Sequence, residues 1–115
     1  MTENEILKKA KKLGNAIGES KEWKQFRKAS KLFKENDELQ KMLKALKEKE
    51  QKQEEKLKKG QPVEVEEKQE IKRLEDEISK NEVFKAFVNA ENNYLILMGK
   101  IDKAIKEGTE EAEKN

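Results

Sequence analysis

The chain is 115 residues long, which allows one domain at most, and 45% of its residues are charged against 33% hydrophobic. It contains neither cysteine nor histidine, so disulfides, zinc sites of the Cys/His type and cysteine-ligated iron–sulfur clusters are excluded. The net charge is only +2, but residues 1–34 are strongly basic and residues 62–82 are acidic.

Apolar residues are few for a monomer of this length, because a small domain buries only a modest share of its surface. They are periodic rather than scattered, which favours helices that complete their core by oligomerising over partial disorder. No apolar run follows the first lysines, and no stretch approaches about 18 apolar residues, so we expect no signal peptide and no membrane span. A cytoplasmic protein is therefore expected.

The first predicted helix begins near Glu3, because Thr2 and Glu5 fit a capping box. Gly14 and Gly18 weaken this helix and allow another backbone to approach closely. Its apolar residues repeat at spacings of four, three and four: Ile6, Ala10, Leu13 and Ile17.

A second helix is predicted from the N-cap Ser20 to about Glu35. One side carries a mostly aromatic stripe formed by Trp23, Phe26, Ser30 and Phe33. The other side carries four lysines, Lys21, Lys24, Lys28 and Lys31, which we call the lysine face. This face is either a solvated surface or a docking surface for an acidic partner or for RNA phosphates.

Two long helices are predicted to follow, separated from the second by the break at Asn36-Asp37. The pair Asp37 and Gln40 fits a capping box that opens the third helix, which runs to Lys59. Gly60-Gln61-Pro62 ends it, Val63 and Val65 form an extended connector, and the fourth helix covers about 66–80.

The apolar seams of these two helices are narrow, and folding the chain antiparallel about Pro62 pairs them. The opposed residues are then Leu46 with Ile78, Glu50 with Leu74, Gln53 with Ile71, and Leu57 with Glu67. Because most of these layers mix one apolar with one polar residue, they suit a two-helix arm standing in water. We predict a protruding hairpin arm over residues 47–72 with a mobile tip; the alternative is an arm folded onto a second chain.

The last predicted helix covers residues 81–108, with Asn81 as its cap, and we expect the other helices to be organised around it. Its apolar stripe is too wide for one neighbouring helix to cover, which predicts two or more partners. The stripe contains Val83, Phe84, Phe87, Val88, Ala90, Tyr94, Leu95, Leu97, Met98, Ile101, Ala104 and Ile105. Glu91 lies inside it and is expected to pair with Arg27 or a lysine, or to be partly exposed. Ile96 lies alone on the polar side, and the tail 109–115 is expected to fray.

Nothing in the sequence indicates a catalytic site. The serines Ser20, Ser30 and Ser79 have no activating base in their sequence context, and glycine-rich phosphate loops are missing. We therefore expect no enzyme, no cofactor and no metal.

The pattern resembles the YlbF/YmcA/YheA family of small bacterial helical proteins over about residues 4–107. The resemblance is carried by packing and capping residues: Leu13-Gly14, Ile17, Ser20, Glu22, Phe26, Ala29, Asn36-Asp37, Gln51–Gln53 near Gly60, Ile78–Asn81, Val83, Phe84 and Ala90-Glu91. It implies an all-α protein with a long helical hairpin, commonly dimeric. Some members are similar to partners in a complex that influences competence, sporulation, biofilm formation and RNA processing. Their iron–sulfur binding through cysteines does not carry over to a chain without cysteine, which places this chain nearer the YheA-like branch.

The sequence thus predicts an all-α fold of about five helices: a single domain over residues 1–108 that contains the hairpin arm and is completed by dimerisation. The dimer or core face is expected to contain Trp23, Phe26, Phe33, Phe84, Phe87, Tyr94, Met98 and Ile101. The expected function is a non-enzymatic interaction or adaptor protein with an unidentified protein partner. The alternative is an RNA-associated factor that binds through the lysine face. A coiled-coil spacer would need an apolar seam through Glu50 and Gln53, which the chain lacks.

Overall fold

The computed structural model describes all 115 residues, and the all-α fold with five helices is confirmed. The helices are α1 (Glu3–Glu19), α2 (Lys21–Glu35), α3 (Asp37–Lys58), α4 (Val65–Lys80) and α5 (Glu82–Lys114). They fall into two compact units, one formed by residues 29–87 and the other by residues 1–28 with 88–115. None of the helices is long and apolar enough to cross a membrane.

Three of the predicted helix caps are confirmed. The side chains of Thr2, Ser20 and Asn81 accept hydrogen bonds from backbone N–H groups three residues later, at 3.3, 3.1 and 3.0 Å. Ser20 also donates from its hydroxyl to the carbonyl of Ile17 at 2.6 Å, so one residue ends α1 and begins α2. Each cap satisfies an N–H group that the first turn of a helix leaves unpaired.

The predicted capping box of Asp37 and Gln40 is wrong. The cap is Asn36, whose side-chain oxygen accepts from the N–H of Leu39 at 2.8 Å. Asn36 has the extended backbone that an N-cap requires, whereas Asp37 is already helical. Gln40 instead donates to the carbonyl of Phe33 at 2.8 Å, which satisfies an acceptor near the end of α2.

The unit of residues 29–87 contains the helical hairpin, in which α3 packs antiparallel against α4. Its buried residues are Ala29, Leu39, Ile71, Leu74 and Ile78. The ion pair between Lys56 and Glu67 matches the predicted opposition of Leu57 and Glu67 to within one residue. The hairpin is confirmed, while the protrusion of residues 47–72 and the mobility of the tip stay predictions.

Glycine is required at the turn of the hairpin. Gly60 has a φ of 69°, in the left-handed region where a side chain costs energy. The N–H of Gln61 donates to the carbonyl of Lys56 at 2.8 Å, and that of Gly60 to Leu57 at 3.2 Å. These two bonds form a Schellman motif, which ends α3. Val65 was predicted in the connector but is the first residue of α4.

The other unit contains α1, the first part of α2 and α5 from Val88 onwards. Ala90 is its one buried apolar residue, and α1 has no buried residue at all. On the apolar face of α1, Ile6, Ala10 and Leu13 are exposed, and Ile17 is half-buried.

The predicted end of the last helix at Gly108 is wrong, because α5 continues to Lys114. Gly108 does not have a positive φ, so it does not form the left-handed turn that commonly ends a helix. The residues after it include Glu and Ala, which are good helix formers, and the Thr109 hydroxyl donates to the carbonyl of Lys106 at 2.7 Å. Fraying of the tail in solution stays a prediction.

Candidate interaction surfaces

The lysine face lies along the exposed side of α2. Lys21, Lys24, Lys28 and Lys31 are all exposed, and none of them forms an ion pair. By contrast, Lys56, Lys58 and Lys85 each pair with a glutamate of the same chain. The lysine face therefore has four positive charges that no acidic side chain neutralises.

The aromatic stripe of α2 packs against α5 of the same chain. In the unit that contains α1, Tyr94 lies over Phe26 with ring centroids 5.2 Å apart, nearly parallel, and 5.2 Å from Trp23. Trp23 and Phe26 meet edge to face at 6.2 Å. Aromatic pairs at these distances contribute about 0.5–1.5 kcal/mol each beyond area burial. We call these three residues the Tyr94 cluster.

A second aromatic group, the Phe33 cluster, lies in the hairpin unit. Phe33 packs against Phe87 with centroids 4.4 Å apart and against Phe84 at 6.5 Å. All six aromatic residues, together with Met98 and Ile101, are half-buried. The predicted dimer or core face is thus used in part for packing within one chain, and its role in a dimer stays a prediction.

A groove between α2 and α5 was missed by the sequence analysis. Its volume is about 300 Å³, and Ile96 and Leu97 supply its apolar side chains. Ile96, expected alone on a polar side, is 57% exposed there. The polar lining includes Lys21, so the groove is continuous with the lysine face. The periodicity of α5 did not indicate it because the groove depends on the pairing of α5 with α2.

Glu91 does not form the ion pair considered for it. The residue is half-buried, makes no ion pair, and Arg27 is exposed. The half-buried Glu91 agrees with the second expectation, a partly exposed position in the apolar stripe of α5. A carboxylate that keeps contact with water needs no buried countercharge.

Charged residues of the hairpin pair with each other at the surface. Lys56 lines a groove of about 240 Å³ with Lys49, Lys52, Glu67 and Ile71, and bridges Glu67 across it.

Arg73 donates hydrogen bonds to Glu70 at 2.6 Å and to Glu77 at 2.7 Å along α4. The hydrogen bond that Arg73 donates to Glu70, together with the positive charge of Arg73, lowers the pKa of Glu70. These are surface contacts of the kind that contribute little to stability.

No arrangement of reactive groups accompanies these surfaces. The chain has no buried polar or charged residue and no group of three or more acidic residues placed to hold a metal ion. The described surfaces offer apolar contact and positive charge.

The sequence model of the family described as control of competence regulator ComK, YlbF/YmcA, matches residues 6–109. The chain belongs to the YlbF/YmcA family. The match includes all of α2, α3 and α4 and leaves out only the beginning of α1 and the end of α5. The family resemblance drawn from the packing and capping residues is therefore confirmed.

Among solved structures, this family member is similar to Bacillus subtilis RicA, whose crystal structure was determined in complex with RicF. The TM-score is 0.84 at 18% sequence identity, and the alignment covers 96% of this chain and 98% of RicA. At that identity the similarity establishes the fold alone. Comparison with curated protein sequences gave no match.

Proposed function

We propose that this chain is a non-enzymatic, cytoplasmic adaptor that acts as a homodimer and binds an acidic protein partner through the lysine face of α2. The observation that carries the proposal is that all four lysines are exposed and unpaired while the opposite side of the same helix is occupied by aromatic packing. A helix that is held on one side presents the other in a fixed orientation, which reduces the entropy lost on binding.

The groove beside Lys21 specifies the partner further. Ile96 and Leu97 offer an apolar recess next to the positive end of α2, so a fitting partner has one apolar side chain among acidic residues. An apolar anchor in a recess supplies affinity, and charge complementarity supplies orientation and speed of association.

The comparisons support an interaction role of this kind. The description of the family names control of the competence regulator ComK. The similar protein RicA was crystallised with a second protein, RicF. The absence of histidine and cysteine supports a non-enzymatic role, because histidine is the commonest general base and cysteine the most reactive side-chain nucleophile near neutral pH.

The test is reversal of the four charges, with Lys21, Lys24, Lys28 and Lys31 all changed to Glu. The probe is a labelled peptide in which one leucine is flanked by glutamates, and binding is measured by fluorescence anisotropy. We expect salt-sensitive binding that falls about tenfold or more in the variant, since each exposed charge contributes to a complementary surface. Circular dichroism should be unchanged, because the four side chains are exposed.

The matched control reverses four exposed lysines of α3 that form no ion pairs: Lys41, Lys44, Lys47 and Lys52. It makes the same change in net charge at another place, so the peptide should still bind. Equal loss in both variants would show that net charge alone attracts the peptide, and the lysine face would be rejected.

The same unpaired lysines favour a second candidate, an RNA-associated factor. Labelled single-stranded RNA is therefore the parallel probe in the same experiment. Neutralisation of four phosphates gives a slope of about −3 in log affinity against log salt concentration, because each phosphate contributes about −0.7. RNA binding with this slope, abolished by the reversal, together with no peptide binding, would replace the acidic-protein partner by RNA.

A further inference from the structure

Helix α1 has an apolar face that its own chain covers only in part, towards the C-terminal end of the helix. The residues on that face are Ile6, Ala10, Leu13 and Ile17, and only Ile17 is half-buried. Helices shorter than about 12–15 residues are marginal in water, and α1, with 17 residues, is only slightly longer. Gly14 and Gly18 weaken it further, and a Cβ added at either would meet nothing within 4 Å. Packing on another surface is what stabilises such a helix.

The C-terminal half of α5 carries a second, largely uncovered stripe, which reaches Ala112 because the helix continues past Gly108. Its residues are Ile101, Ile105, Gly108 and Ala112, and all except the half-buried Ile101 are exposed. The spacings are four, three and four, the same as in α1. When two such stripes run antiparallel, every residue of one meets a residue of the other without a shift in register.

We propose that α1 of one copy packs antiparallel on the C-terminal half of α5 of a second copy of this chain. The opposed residues are Ile6 with Ala112, Ala10 with Gly108, Leu13 with Ile105, and Ile17 with Ile101. The small pair in the middle lets the two backbones approach closely. This inference rests on the homodimer of the proposed function and assigns the surface that forms it.

The charges beside the stripes are complementary in this register. Lys9 lies on one flank of the α1 face, and Glu111 lies on the flank of α5 that would face it. Neither residue forms an ion pair within its own chain. On the other flank Leu7 and Gly14 of α1 face Thr109 and Asp102, with no like charges opposed there. Such flanking pairs set the orientation and partner of helix pairs.

A two-fold axis is the commonest symmetry of homodimers, and it would make the contact occur twice. Each copy would then contribute both its α1 face and its α5 stripe. A stable dimer needs about 800 Å² from each partner, more than a single pair of short helices supplies. Reciprocal packing of both helices doubles the area of contact.

The absence of cysteine in the chain allows a direct test by disulfide formation between two different variants. A Leu13→Cys protein is mixed with an Ile105→Cys protein and oxidised, so that any mixed disulfide joins two copies. The control partner is Ile96→Cys, because Ile96 is nine residues from Ile105 and, at about 100° per residue, lies on the opposite side of α5. The exposures of the two isoleucines are similar, 57% and 51%. We expect cross-linking with Ile105→Cys and none with Ile96→Cys; equal cross-linking in both would overturn the proposal.

Sedimentation of the full chain gives the second measurement. Ile105→Asp should weaken the dimer about tenfold or more while circular dichroism stays unchanged, and Ile96→Asp should leave the dimer intact. Glu111→Lys should also weaken it, and adding Lys9→Glu in the same chain should restore it.

The outcomes separate this inference from the proposed function. A wild-type chain that sediments as a monomer would remove both the homodimer and the assigned surface, yet leave the peptide test of the lysine face untouched. A dimer that persists in Ile105→Asp without cross-linking at Leu13→Cys would reject the surface and keep the homodimer.

Discussion

Leu39 shows how much of the core depends on a single residue. It is fully buried, with 0% of its surface accessible, and its N–H is held by the Asn36 side chain. The sequence places Leu39 in the apolar seam of α3. It places Leu57 in the same seam, so the sequence alone does not tell which of the two leucines is buried. Leu57 is 67% exposed, because α4 is not placed to cover it.

Leu39→Ala should therefore lower the free energy of unfolding by about 2–5 kcal/mol, since it removes buried methyl groups and leaves a cavity. Leu57→Ala is the matched control and should change stability by about 0.5 kcal/mol or less. Urea unfolding followed by circular dichroism measures both. A cost for Leu39→Ala no larger than that for Leu57→Ala would contradict the described core.

At the scale of elements, the hairpin is the best-specified part of the fold. The antiparallel pairing of α3 with α4 about the Gly60 turn was predictable, because a glycine and a proline separate two helices with equally narrow apolar seams. At the one ion pair across the hairpin, Lys56 with Glu67, the predicted opposition is off by one residue. This difference of one residue matters for the charges, because Lys56 rather than Leu57 faces Glu67.

Reversal of this ion pair tests the register. Lys56→Glu and Glu67→Lys should each destabilise by about 0.5–1 kcal/mol, and the double reversal should recover most of the loss, because partly exposed pairs contribute about that much. Urea unfolding of the four proteins gives the coupling energy. Strict additivity would mean that the two residues do not meet in solution, and the register would need correction.

At the scale of the whole molecule, each compact unit has its own aromatic group. Phe87 belongs to the Phe33 cluster of the hairpin unit, and Tyr94 is the centre of the cluster in the unit that contains α1. Their side chains are half-buried within one chain, so they serve packing there and keep part of their surface accessible.

Phe87→Asp and Tyr94→Asp should each disrupt the fold or the dimer, at a cost of about 2–4 kcal/mol, because a charge replaces a ring in an apolar contact. Glu54→Ala on α3 is the control and should have no such effect, since Glu54 is exposed and pairs only with Lys58 at the surface. Light scattering and circular dichroism report the two properties. If Phe87→Asp leaves both unchanged, the stripe of α5 has been assigned wrongly.

The sequence by itself determined the number, type and most boundaries of the helices, three of their caps and the turn of the hairpin, because periodicity and capping are local properties of the chain. It also determined which chemistry is excluded, since that follows from composition. Only the tertiary structure decided that Asn36 caps α3, that α5 runs on to Lys114, and that most of the apolar face of α1 is left exposed. These depend on the backbone that each residue adopts and on which faces meet, and spacing alone leaves several possibilities of nearly equal energy.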